Sequence, residues 1–230
     1  MEEKLFEFHN EVHLRGKIFD IQKNKHSTDI FMSCGNPKER RIVKSNGMFK
    51  RDTMVVRFFG YEAKTYAENF KIGEKATVIG VIQTHVNKDT QRAKSMLVWG
   101  INMLHCEDNA KDMNDAHIRG KIISAAAISD RYLILSVKTN VKKKYKNTRE
   151  NTEFPVLEKE YNSVVSIGVR VPSSDAKDLV YTTYTPGTWV DTQGKIQGRK
   201  SPKNNKHSQR YIAHKVSIVG EIQRWNLKDR

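Results

Sequence analysis

The stretch "HLRGKI" at residues 13–18 recurs 104 positions later as "HIRGKI" at residues 117–122. Toward the end of each copy, "KIGEKATVIGVIQ" at 71–83 corresponds to "TPGTWVDTQGKIQ" at 185–197, here at a spacing of 114. The chain therefore contains one unit twice, and the second copy has a longer internal loop. Repetition at this length indicates two copies of one domain rather than a solenoid of short repeats.

The 230-residue chain is accordingly predicted to form two domains, residues 1–110 and 111–230. In each half, apolar residues alternate at period two or cluster with β-branched types, and glycines or charged turns separate them, which favours strands. A short helix is expected between the third and fourth strands of each copy, at 62–70 and 173–180. The predicted strands are 12–21, 28–34, 53–60, 74–84 and 95–104, then 116–128, 131–139, 162–171, 188–197 and 210–220.

Five strands with one helix between the third and the fourth is the order of the OB-fold, a small barrel that binds oligonucleotides. The predicted fold class is therefore mainly all-β, with two five-stranded OB-fold barrels in tandem. Gly16 and Gly120, in the middle of the first strand of each copy, suit the bulge or sharp bend that such a barrel needs.

The charge of the chain favours a polyanionic partner. Its 41 Lys and Arg residues against 26 Asp and Glu residues give a net charge of +15. Residues 1–110 hold 18 basic and 14 acidic side chains, whereas residues 111–230 hold 23 and 12, so the second half carries most of the excess. Such a surplus attracts nucleic acid through counterion release. A generically basic protein with no such partner is the alternative.

Two stretches of the first copy carry a resemblance to a known family. The pattern N-x-V-x-L-x-G-x-I at 10–18 and "VVRFFGYEAKTYAENFKIGEKATVIGVIQT" at 55–84 resemble single-stranded DNA-binding proteins of the bacterial and phage type. The resemblance implies an OB-fold protein that coats single-stranded DNA without strong sequence preference. It also implies a role in DNA replication, recombination or repair, for a phage or mobile element.

Single-strand binding needs cations along the phosphates and flat rings on which bases stack. In the third strand, Val56 and Phe58 face one way and Arg57 and Phe59 face the other, because successive side chains alternate. A core would exclude Arg57, so Phe59 is expected beside it on the outside. The resemblance also implies a base-stacking role for Phe59. The alternative is that Phe59 closes one end of the barrel.

Copy two aligns Ser166 and Gly168 with Arg57 and Phe59 and has lost that ring. Basic segments with an embedded aromatic, at 36–51, 138–149 and 199–210, are expected to compensate, although a solvated charge run is the usual alternative. The residues predicted to contact nucleic acid are Phe49, Lys50, Arg51, Arg57, Phe59, Lys88, Arg92, Lys94, Lys142, Lys143, Lys144, Tyr145, Lys146, Trp189, Arg199, Lys200, Lys203, Lys206, Arg210 and Tyr211.

Some residues keep more than one interpretation. Trp189 could stack on a base, pack between the barrels or form an oligomer contact, whereas Trp99 is expected in the core. A polar stripe on the first strand is repeated in the second copy, and either a phosphate role or an ordinary solvated face explains it. The stripe consists of His13, Arg15, Lys17, His117, Arg119 and Lys121.

Other functions find little support in the sequence. No phosphate-binding glycine loop or serine nucleophile motif is present, so neither enzyme activity nor a cofactor is expected. Cys34, His105 and Cys106 make no convincing metal site, and the two cysteines are expected as free thiols. The alternatives are an RNA-binding, DNA-annealing or recombination-mediator protein and, as a third class, a protein–protein adaptor.

No leader or membrane span is evident in the sequence. A cytoplasmic location is therefore expected, that of the host cell if a phage encodes the chain. A homodimer is left open.

Overall fold

The structure is a computed structural model that describes residues 6–35, 52–86, 93–145, 157–171, 175–200 and 207–219. Every strand and both helices predicted from the sequence are present. In chain order the elements are β1 (His9–Lys23), β2 (Ser27–Cys34), β3 (Asp52–Phe59), α1 (Tyr61–Glu68), β4 (Lys75–Val86), β5 (Ala93–His105), β6 (Met113–Ser129), β7 (Tyr132–Tyr145), β8 (Leu157–Arg170), α2 (Ala176–Thr182), β9 (Trp189–Lys200) and β10 (His207–Ile218).

The ten strands form two closed barrels. In barrel one the order is β2-β3-β5-β4-β1, and β1 closes the ring by pairing with β2. In barrel two the order is β7-β8-β10-β9-β6, closed by the β6–β7 pairing. Only the β3–β5 and β8–β10 pairs are parallel among those described. Each helix follows the third strand of its barrel, which is the element order predicted for an OB-fold, and the predicted mainly all-β fold class is confirmed.

Alternation along the strands fills both barrel interiors. On β1, Val12, Leu14 and Ile18 are fully or almost fully buried, and the odd-numbered residues between them face outward. Val56 and Phe58 on β3 are also core residues, which leaves Arg57 and Phe59 on the outer face. The periodicity that predicted the strands is thus the pattern that forms the core.

Gly16 and Gly120 mark the point where one edge of the first strand changes partner. Up to Arg15 this edge of β1 pairs with β6, and from Lys17 onward it pairs with β2. A Cβ on Gly16 would collide with the backbone carbonyl of Ser33 on β2. On Gly120 it would collide with the carbonyl of Lys138 in the same way. The repeated glycine therefore allows a close backbone approach.

Asn10 recurs 104 positions later as Asn114, and both asparagines have an equally definite structural role. Asn10 donates from Nδ2 to the Ile82 carbonyl and accepts at Oδ1 from the Ile82 N–H, both at 2.8 Å. Asn114 makes the same two bonds to Ile196, at 2.8 and 2.9 Å. In each barrel the amide continues the ladder to the fourth strand beyond the last paired backbone residue. We call these pairs of bonds the amide clamps.

The barrels are joined through their first strands with local two-fold symmetry. β1 and β6 pair antiparallel, and Val12 lies opposite Ala116, the residue that corresponds to Val12 in the second copy. The register on either side is reciprocal: Glu11 lies opposite His117, and His13 lies opposite Asp115. A self-complementary contact of this kind is the geometry of an isologous dimer interface. One continuous sheet therefore runs from barrel one into barrel two.

Cys34 and Cys106, both within the described residues, form no disulfide, and Cys34 lies in the core of barrel one. In the described ranges, no helix has the length and apolar character needed to cross a bilayer.

Candidate nucleic-acid interface

The outer face of β3 and β5 in barrel one carries a cation beside two aromatic rings that contact each other. Arg57 donates from Nε and Nη2 to the two carboxylate oxygens of Asp29, at 2.6 and 2.7 Å. This paired hydrogen bond raises the pKa of Arg57 and fixes the plane of its guanidinium. The guanidinium carbon lies 5.9 Å from the centre of the Phe59 ring, within the range of a cation–π contact.

Trp99 belongs to the same surface and not to the core. It lies beside Arg57 in the β3–β5 register, and its ring meets the edge of Phe59 at 5.1 Å with an interplanar angle of 77°. Both rings are half-buried. The prediction that placed Trp99 in the core was wrong, because the residue has the outward parity of Leu97 and Ile101 while Val98 points inward. We call Arg57, Phe59 and Trp99 the barrel-one platform.

A shallow pocket extends this surface toward barrel two. Its volume is about 310 Å³, and it lies where the outer faces of β4 and β5 meet β1 and β7. Val81, which pairs with Trp99, lines one side, and Phe8 and Asn140 line the other. The remaining lining residues are His9, Asn10, Glu11, Ile79, Gly80 and Ile101.

Trp189 lies just beyond this pocket, within an aromatic cluster. Its ring packs against Phe8 at 4.8 Å and against Phe6 at 5.7 Å. Phe6 remains 48% exposed, and Trp189 and Phe8 are half-buried. Sequence reasoning had singled out Trp189 alone; the paired phenylalanines of "LFEFHN" ahead of β1 were the signal that could have identified its partners.

The outward stripe of β1 and β6 forms an electrostatic network. Asp191 on β9 accepts hydrogen bonds from His117 and from Arg119. Burial alone would raise the pKa of Asp191, but these bonds outweigh burial and lower it to about 2. Burial, together with the neighbouring His117, lowers the pKa of His9, whose ring lies 4.4 Å from that of His117. In barrel one, Arg15 bonds to Thr77 at 2.8 Å. Arg15, His117 and Arg119 of this stripe therefore have partners within the protein.

Replacing Asp191 with Asn is expected to lower the free energy of unfolding by about 2 kcal/mol at pH 7, since a pKa shift of one unit corresponds to about 1.4 kcal/mol. The folded-state pKa is depressed, so the contribution is present above the ordinary value of 3.8 and is lost as the pH falls through about 2. Urea unfolding between pH 2 and 7 measures it. The exposed pair of Asp130 and Lys177 provides the control, because Asp130→Asn should change little at any pH.

In the second copy, the described parts of the basic segments at 138–149 and 199–210 are strand. β7 continues through Tyr145 and β8 begins at Leu157, so the run at 142–145 lies on a long hairpin. The register places Lys142 opposite Glu160 and Lys144 opposite Glu158. These two acids lie outside the basic segment at 138–149. Asn140, two residues before Lys142, lines the pocket, so this hairpin leaves the barrel next to the candidate surface.

Among the other predicted contact residues, Tyr211 is a correction. It is completely buried, and its hydroxyl lies at hydrogen-bond distance, 3.2 Å, from both the Ala116 carbonyl oxygen and the Thr192 hydroxyl oxygen. Burial also raises the pKa of Tyr211. It faces inward because it lies opposite Ile196 in the β9–β10 ladder, so it cannot stack on a base. Arg210, its neighbour, is exposed and bonds to Gln197 at 2.9 Å.

The remaining predicted contact residues are described in part or not at all. Phe49, Lys50, Arg51, Lys88, Arg92, Lys146, Lys203 and Lys206 lie outside the described residues. For Lys94, Lys142, Lys143, Lys144, Tyr145, Arg199 and Lys200, only the backbone position is described. Within the described ranges, no group of three or more His, Cys, Asp or Glu residues could hold a metal ion.

Comparisons with known proteins place the fold. No protein-family model and no curated protein sequence matches the chain. The wild-type single-stranded DNA-binding protein from Thermus aquaticus has a similar structure, with a TM-score of 0.58 at 12% identity, covering 92% of this chain and 93% of that one. A deletion mutant of the same protein gives a TM-score of 0.57 at 12% identity, with 92% and 95% coverage. The Plasmodium falciparum protein solved with single-stranded DNA matches 48% of this chain, and 96% of its own, at 18% identity and a TM-score of 0.35.

Proposed function

We propose that this chain binds single-stranded DNA without strong sequence preference. The observation that carries the proposal is the barrel-one platform, in which Arg57 is fixed beside the half-buried rings of Phe59 and Trp99. A flat ring next to an oriented guanidinium suits an unpaired base above a phosphate backbone. The net charge of +15 and the fold, which is also that of single-stranded DNA-binding proteins, support the same conclusion.

The path of the strand is proposed to cross from barrel one to barrel two. The outer faces of β3, β5, β4, β1, β6 and β9 lie on one continuous sheet. The platform stands at one side of this surface, the pocket lies in the middle, and the cluster of Phe6, Phe8 and Trp189 stands at the other side.

The finer assignment follows from this chemistry. A chain that binds bases by their flat faces accepts any sequence, so it can coat and protect strands exposed in replication or recombination. On the sequence resemblance, we also propose a phage or mobile element as its source. We further propose residues 1–110 and 111–230 as the two functional units, since β5 ends at His105 and β6 begins at Met113. Matched oligo-rU tests the RNA alternative, because a reader of the 2′-hydroxyl would prefer it.

Replacing Phe59 with Ala is expected to weaken binding of oligo-dT by about 1–3 kcal/mol, because one stacking ring is lost. Intrinsic tryptophan fluorescence, to which Trp99 contributes at 5.1 Å from the Phe59 ring, provides the signal for the titration. The matched control is Tyr181→Ala, because Tyr181 is an 81% exposed ring on α2. Equal affinities for wild type, Phe59→Ala and the control would assign Phe59 to barrel closure, and the absence of any binding by the wild type would overturn the proposed function.

A further inference from the structure

The structure changes which residues of barrel two correspond to the platform of barrel one. Val56 pairs with Val98 and Ile167 pairs with Tyr211, and both partner strands are anchored to the isoleucines of the amide clamps. Hence Ile167 is the counterpart of Val56, at a spacing of 111. The route through the second strands gives the same spacing, because Ser33 lies opposite Thr53 and Lys138 lies opposite Val164.

This register replaces the sequence alignment of Ser166 and Gly168 with Arg57 and Phe59. The structural counterpart of Arg57 is Gly168, and that of Phe59 is Arg170. The two alignments differ by two residues and therefore keep the same inward and outward parity, which is why sequence periodicity could not separate them.

A ring is present at this level of barrel two, on the neighbouring strand. In barrel one, Ser27 on β2 lies opposite Phe59 on β3. At the equivalent place in barrel two, Tyr132 on β7 lies opposite Arg170 on β8. At this level the aromatic residue is on the third strand in barrel one and on the second strand in barrel two, where an arginine stands at the third-strand position.

The Tyr132 side chain lies over the outer face of Gly168. A Cβ added to Gly168 would collide with the hydroxyl of Tyr132 and would lie 2.7 Å from Cδ1 of Ile212. Tyr132 is half-buried and Arg170 is exposed, so the ring and the cation share an accessible surface. Gly168 leaves the space into which the tyrosine extends.

We propose that Tyr132 and Arg170 form a second stacking site for single-stranded nucleic acid, equivalent to the barrel-one platform. The site rests on the proposed function and adds to it a contact surface in barrel two that is built from different strands. Six strand spacings separate β3 from β8 in the strand order, which is about 29 Å along the outer surface. A strand long enough to reach both sites is held by both.

Replacing Tyr132 tests the second site by its effect on oligo-dT affinity. For an oligonucleotide long enough to span both barrels, Tyr132→Leu is expected to weaken binding about 5- to 150-fold, because leucine covers Gly168 without offering a π-face. Tyr132→Phe is expected to retain affinity. Tyr181→Ala in the same barrel is the control for loss of an exposed ring. Unchanged affinity in Tyr132→Leu would overturn the second site.

A second variant moves the ring without removing it. Gly168→Ala places a methyl group against the end of the Tyr132 side chain, which can swing away, and is expected to weaken binding by a smaller factor than Tyr132→Leu while the protein stays folded. If Phe59→Ala weakens binding but neither barrel-two variant does, the second site is wrong and the proposed function stands. If the wild type binds no oligo-dT, both are wrong.

Discussion

Raising the salt concentration from about 50 to about 200 mM is expected to weaken oligo-dT binding roughly 50- to 300-fold, if four to six phosphates are contacted. Each contacted phosphate of a single strand releases about 0.7 counterion, so affinity falls as that power of the salt concentration. The expectation rests on the net charge of +15 and on the lysine-rich hairpin that begins next to the pocket. Fluorescence titration at four or more salt concentrations gives the slope.

The slope also tests which charges act. Several outward-facing cations are already engaged within the protein, as in the bonds of Arg119 with Asp191 and of Arg57 with Asp29. We therefore expect joint neutralisation of Lys142, Lys143 and Lys144 to reduce the slope, whereas Lys177→Gln on α2 should leave it unchanged. A change of less than threefold over this salt range would mean that charge does not hold the strand.

Replacing Asn10 with Ala is expected to destabilise the protein by about 2–4 kcal/mol. The variant removes both bonds of the first amide clamp and leaves the buried N–H and carbonyl of Ile82 without that partner, at about 1–3 kcal/mol for each group. Asn114→Ala should cost less, because Asn114 is half-exposed and water can reach the groups that it leaves. Urea unfolding followed by circular dichroism measures both.

Asn102→Ala is the matched control for the clamps. Asn102 is exposed, and its Oδ1 accepts a bond only from the adjacent Met103 N–H among the contacts described for it. We expect a loss below about 0.5 kcal/mol, as for most surface substitutions. If Asn10→Ala were no more destabilising than this control, the clamp geometry would have no energetic importance.

Repetition and periodicity were sufficient to predict the fold. The spacing of Gly16 and Gly120 located the first strands, and alternation around Val56 and Phe58 gave the correct inward face of β3. Both are local properties, because the side-chain period of a strand is two residues wherever the strand lies. The same parity placed Arg57 and Phe59 outside, beside each other.

The site was harder to predict because it depends on register and on contacts between distant segments. Tyr211 belongs to a basic segment, yet it faces the barrel interior once β10 pairs with β9. Phe8 contacts Trp189 across 181 positions, and Glu160 joins Lys142 only through the β7–β8 ladder. Neither composition nor spacing encodes such pairings, so these residues became visible only in the folded chain.

The local two-fold axis at Val12 and Ala116 has a consequence for how the two halves can change. Between two identical chains, every substitution occurs on both sides of the axis, so a harmful effect on one side cannot be separated from a useful one on the other. Here the halves are parts of one polypeptide, and each can vary alone. Phenylalanine on β3 in one half and tyrosine on β7 in the other are a divergence of this kind, which two identical chains could not reach.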